Sequence, residues 1–202
     1  MPPPVPTVLA RPATPAQAAR HALLGSAVMI PFWVYTIAGV VRGRAPGVGT
    51  IRDRLESQPI VEIREASFAP LERLGEPHEH EDVHLDPDDV LIALDADDGV
   101  HPHAQWHAIR LLAGPWIVDG DLATMPGFDP GRALTRPSGS FVQLRNARVS
   151  RASDGQPVGE HEAILVHRYA VERVDADLEL GFYFPGASVV EAAGVGSWGV
   201  AS

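Results

Sequence analysis

The sequence predicts a mainly β protein, a small barrel or sandwich-like body preceded by one transmembrane helix. Three observations carry this. From residue 59 onward, short runs rich in Val, Ile and aromatic residues alternate with Gly, Pro and Asp signals at even spacing, the pattern of a small β domain. Ala22 to Val41 is a run of twenty residues without a charge, about the length a helix needs to cross the hydrocarbon core. Finally, charge is segregated: residues 1–52 hold five arginines and no acid, while the rest holds 11 arginines against 26 acids.

Taken in order, residues 1–18 hold six prolines and read as an extended tail. Residues 19–42 form the expected span, with Arg20 and His21 at one end and Arg42 and Arg44 at the other. Pro31 within it implies a kink, which membrane helices tolerate. Arginines are more numerous just after the span than before it, which places the C-terminal body in the cytoplasm of a bacterial inner membrane and the N-terminus outside. Residues 43–58 form a Gly- and Pro-bearing linker with a helical turn or two at Thr50–Glu56.

The body, residues 59–176, follows. Strands are expected at Ile60–Phe68, Asp89–Leu94, Trp106–Leu112, Trp116–Leu122, Phe141–Val149, Ala163–Tyr169 and Val171–Val174. A turn leading to a short helix is expected at Met125–Leu134, with Asp129 as N-cap and Pro130 at the first helical position. Val61-Glu-Ile-Arg-Glu-Ala-Ser-Phe68 echoes Val142-Gln-Leu-Arg-Asn-Ala-Arg-Val149, which raises the prospect of two related halves, 59–98 and 105–176. Residues 177–202 read as a C-terminal docking arm.

Val118-Asp-Gly-Asp-Leu122, Met125-Pro-Gly127, Phe141–Val149 and Leu165-Val-His-Arg168 resemble the pieces of an uncharacterised family of small bacterial β domains, over about residues 106–174. That likeness implies a fold and no chemistry. The layout, an early span followed by an acidic cytoplasmic β body, is similar to that of the H subunit of bacterial photosynthetic reaction centres. That topological likeness implies an accessory subunit that binds no pigment and covers a membrane complex.

Two classes of candidate residue remain. His80-Glu-Asp-Val-His84 spells the H-E-x-x-H of zinc proteases, which requires a helix carrying both histidines on one face. Pro77 and Pro87 bracket the motif too closely for one. The spacing of His78, His80 and His84 recurs in His101, His103 and His107, so a noncatalytic zinc or nickel site is the alternative. Trp33, Tyr35, Phe182, Tyr183, Phe184 and Trp198 are candidate partner contacts, since buried aromatics anchor interfaces.

Cysteine is absent, which removes thiolate chemistry and disulfides. The acidic body repels nucleic acid phosphates. No phosphate-binding glycine loop or nucleophile elbow is present. The expectation is therefore a noncatalytic, membrane-anchored accessory subunit without a cofactor or small-molecule substrate, whose partners are integral membrane subunits and the lipid bilayer. A membrane-tethered metal-binding or metal-dependent hydrolytic domain using the His-rich loops is the alternative.

Overall fold

A computed structural model of the chain describes residues 28–94, 104–124, 139–176 and 184–190. The proline-rich tail, Ala22–Ala27, the Met125–Leu134 segment, His101, His103, Phe182, Tyr183 and Trp198 lie outside those residues. The described chain is mainly β, and it divides into two compact units, Met1–Val90 and Leu91–Ser202.

The first unit corrects the helix expected over residues 19–42. Met29–Thr36 is strand β1 and Gly39–Pro46 is strand β2, paired antiparallel from Met29↔Pro46 to Tyr35↔Val40. The apolar run is thus a hairpin over most of its length. Its residues explain why: Ile30, Phe32, Trp33, Val34, Tyr35, Val40 and Val41 are β-branched or aromatic, types that suit a pleated ladder. A strand buried on both faces leaves the same uninterrupted apolar signature as a helix. Thr36 Oγ1 accepts from the Ala38 N–H at 3.2 Å, which helps fix the reversal. Gly39 follows at φ 150°, where a Cβ would meet the Ala69 carbonyl oxygen at 2.1 Å. Among the described residues no helix is long and apolar enough to cross a membrane, which says nothing about crossing by strands.

After β2 the chain enters a short helix, α1 (Ile51–Ser57). Thr50 caps it: its hydroxyl accepts from the Asp53 N–H at 3.1 Å, and the Asp53 carboxylate accepts from the Thr50 N–H at 3.0 Å. Hydrogen bonding from the Thr50 N–H, and then from its hydroxyl, holds the Asp53 carboxyl below its usual range. Strand β3 (Val61–Pro70) then pairs with β2, and β4 (His78–Leu85) pairs with β3, so the unit is a β1-β2-β3-β4 meander.

The second unit contains β5 (Val90–Leu94) from Leu91 onward, β6 (Gln105–Ala113), β7 (Trp116–Thr124), β8 (Phe141–Arg151), β9 (Pro157–His167), β10 (Val171–Asp175) and β11 (Ser188–Val190). Their order is β11-β10-β6-β7-β8-β9-β5, with β10 and β11 parallel and the other neighbours antiparallel. In each unit the order is linear rather than closed, so the barrel expectation is not met by the described strands. Trp116, Phe141, Leu111, Leu144, Ile164 and Leu165 are buried along its strands.

Strands β1 to β5 and strands β6 to β10 repeat one succession, pair for pair. Val34↔Val41 recurs as Leu111↔Val118, Gly39↔Pro70 as Trp116↔Arg151, and Ile63↔Val83 as Leu144↔Ile164. β1 and β2 map onto β6 and β7 at a spacing of 77 positions, and β3, β4 and β5 onto β8, β9 and β10 at 81. The correspondence reaches the irregularities. Glu65 and Asn146 occupy equivalent places and are the two described non-glycine residues with positive φ, 49° and 48°. Opposite them the register slips, between Arg42 and Arg44 on β2 and between Asp119 and Asp121 on β7. This is a β-bulge in each unit. Gly43 and Gly120 sit at these slips, where the bulged strand comes close: a Cβ would lie 2.8 Å from the Arg64 oxygen in one and 3.1 Å from the Arg145 oxygen in the other.

Candidate interaction edge

The His- and acid-rich segment forms a strand, not a loop. Its sequence has little intrinsic preference for that state, and the ladder to β3 imposes it: Leu85, His84, Val83, Asp82, His80, Glu79 and His78 pair with Val61, Glu62, Ile63, Arg64, Ala66, Ser67 and Phe68. Val83 and Leu85 anchor it by burial over the core, while His78 to Asp82 and His84 are exposed. Among the described residues β4 pairs with β3 alone, so its second edge carries unpaired backbone donors and acceptors.

The electrostatics of this edge are one-sided. Residues 76–89 contain seven acids and no arginine. Arg64, opposite Asp82 in the ladder, turns its Nε to Glu62 Oε1 at 2.8 Å. After β4, the Asp86 carboxylate accepts from the Asp88 N–H at 3.0 Å and caps a 3-10 turn over Pro87–Asp89. Partial burial, with Asp86 and Asp88 nearby, raises the Asp89 carboxyl above its usual range.

The counterpart strand β9 gives a control within the same chain. Glu79-His80-Glu81 recurs as Glu160-His161-Glu162 at the spacing of 81. Glu160 receives Arg148, with Nε and Nη2 at 2.9 and 2.8 Å from Oε1. The residue equivalent to Arg148 in the first unit is Ser67, so Glu79 faces a hydroxyl where Glu160 faces a cation. The second edge of β9 is occupied: β5 pairs there through Ile92↔Val166, Ala93↔Leu165 and Leu94↔Ile164. Ala163 to Val166 are accordingly buried on both faces.

The other candidate residues distribute as follows. His78, His80 and His84 lie on β4, and His107 lies on β6, its Nε2 2.9 Å from Thr124 Oγ1. No group of three or more metal-ligating side chains occurs among the described residues. His80 and His84 belong to a strand, which does not give H-E-x-x-H its helical geometry. Tyr35 and Phe184 are fully buried, and burial raises the Tyr35 phenol well above its usual range despite nearby Arg42. Trp33 is partly buried under the Arg42 guanidinium, 3.8 Å from the ring centroid. In the second unit the equivalent pair is Arg110–Asp119, an ion pair at 2.5 Å. Sequence reasoning overlooked the open edge of β4, although the repeated Glu-His-Glu was visible.

No family model, curated protein or solved structure matches the chain.

Proposed function

We propose that this chain is a noncatalytic accessory subunit that joins a larger assembly by accepting a strand along β4. The supporting observation is the contrast between equivalent strands: among the described residues β9 carries a neighbour on both edges, whereas β4 carries one. An exposed edge strand is a template for β-addition, in which main-chain hydrogen bonds supply affinity and alternate side chains supply selectivity. Its charges suppress self-pairing, because antiparallel self-association would bring Glu79, Glu81 and Asp82 of two copies together. The edge is thereby kept for a different partner.

Glu81→Pro tests this. Glu81 is missing from the register with β3, which passes from Asp82 to His80. A proline there removes a main-chain donor from β4 and disfavours strand pairing at a position outside the register with β3. The chain isolated from its host under mild conditions should migrate in a complex larger than itself. Glu81→Pro should release it as a folded monomer, with an unchanged circular dichroism spectrum. Wild-type chain recovered only as a monomer would sink the proposal.

A further inference from the structure

Resting on that reading, we infer that the strand accepted by β4 is basic, alternates with apolar residues, and runs antiparallel with its first apolar residue opposite Leu85. The register comes from the counterpart edge. On β9, Val166, Leu165 and Ile164 face Ile92, Ala93 and Leu94. Their equivalents on β4 are Leu85, His84 and Val83. The incoming strand therefore meets these three in that order.

The chemistry of the incoming strand follows from where β4 departs from β9. β9 presents Ala163, Ile164, Leu165 and Val166, all buried, and receives the apolar Val90-Leu-Ile-Ala-Leu94. β4 presents Asp82, Val83, His84 and Leu85 at those places, so only every second position is apolar and buried. A complementary strand needs apolar side chains opposite Leu85 and Val83 and a cation opposite Asp82. Further along, Glu79 faces Ser67 where its equivalent Glu160 has Arg148. An arginine on the incoming strand would fill from one side the place that Arg148 fills from the other. The bidentate geometry of a guanidinium suits a carboxylate better than a lysine ammonium does.

The test uses the full chain and short synthetic peptides. One peptide carries valine at its first and third positions and arginine at its fourth and seventh. A second has glutamate in place of both arginines, and a third is the arginine peptide with alternate backbone nitrogens methylated. Binding is read by fluorescence anisotropy at low and high salt. The arginine peptide should bind about tenfold more tightly than the glutamate peptide at low salt, and the gap should shrink as salt screens it. Glu79→Gln with Asp82→Asn should remove most of that preference while leaving the fold intact. The methylated peptide should bind at least about tenfold more weakly than its parent, because strand addition requires its N–H groups.

Equal binding of the arginine and glutamate peptides overturns the basic partner and leaves strand addition standing. Undiminished binding of the methylated peptide overturns strand addition itself. No binding by any of the peptides overturns the inferred register and chemistry.

Discussion

Glu65 is the residue most at odds with its own backbone. It holds φ 49°, a region that asparagine enters readily and glutamate does not, and the equivalent residue in the second unit is asparagine. Glu65→Asn should raise stability by about 0.5–1 kcal/mol, read from chemical denaturation. The facing glycines separate in the same way. Gly43→Ala drives a Cβ to within 2.5 Å of Ile63 Cγ2 and should cost about 1–3 kcal/mol. Gly120→Ala meets nothing closer than 3.1 Å and should cost less. Asp89 titrates with the opposite sign from most paired carboxylates. Its carboxyl is raised in the folded chain, so its charged form opposes folding at neutral pH, and the penalty disappears as pH falls through the raised value. Asp89→Asn should melt slightly higher than wild type at pH 7, with the difference closing on acidification through the usual carboxylate range.

At the scale of elements, legibility followed amphipathicity. β3, β6, β7 and β8 were readable because their apolar residues alternate against a solvated face and because Gly114-Pro115 and Gly155 punctuate them. β1 and β2 were misread because an apolar run hides its period: without polar residues to mark one face, length alone argued for a helix. β4 was misread for the converse reason. Glu79 to Asp82 have no apolar alternation, and the strand exists through Val83 and Leu85 and through its ladder to β3. The open edge, the candidate site, was illegible because pairing partners are set by topology and not by local composition. Ser67→Arg offers a direct check on the comparison with β9. It should recreate the Arg148–Glu160 pair against Glu79, add no more than about 1 kcal/mol of stability, and weaken the arginine peptide's advantage.

For the whole molecule, the echo between Val61–Phe68 and Val142–Val149 marked only part of the correspondence. The matching strands begin at β1 (Met29), earlier than the expected first half 59–98, while β6 opens at Gln105, where the second half 105–176 was expected to begin. The first hairpins share little identity, since Phe32, Val34 and Ala45 stand where Ile109, Leu111 and Leu122 do, so burial is kept while residue identity is not. A mainly β chain also makes a spectroscopic prediction. Far-ultraviolet circular dichroism should show a strand-dominated spectrum with a minor helical contribution, the same with and without mild detergent. A strong helical spectrum in detergent would contradict the hairpin at Met29–Pro46.

The change of spacing from 77 to 81 falls in one place, the connection from β2 to β3 and its counterpart from β7 to β8. Upstream and downstream the ladders keep step residue for residue, so four positions were absorbed there without moving a single rung. That connection is the natural seam of the design. A fluorescent tag or affinity handle spliced between Gly47 and Thr50 should leave the free edge of β4 as competent as before, whereas the same splice in either tight hairpin would throw two strands out of phase.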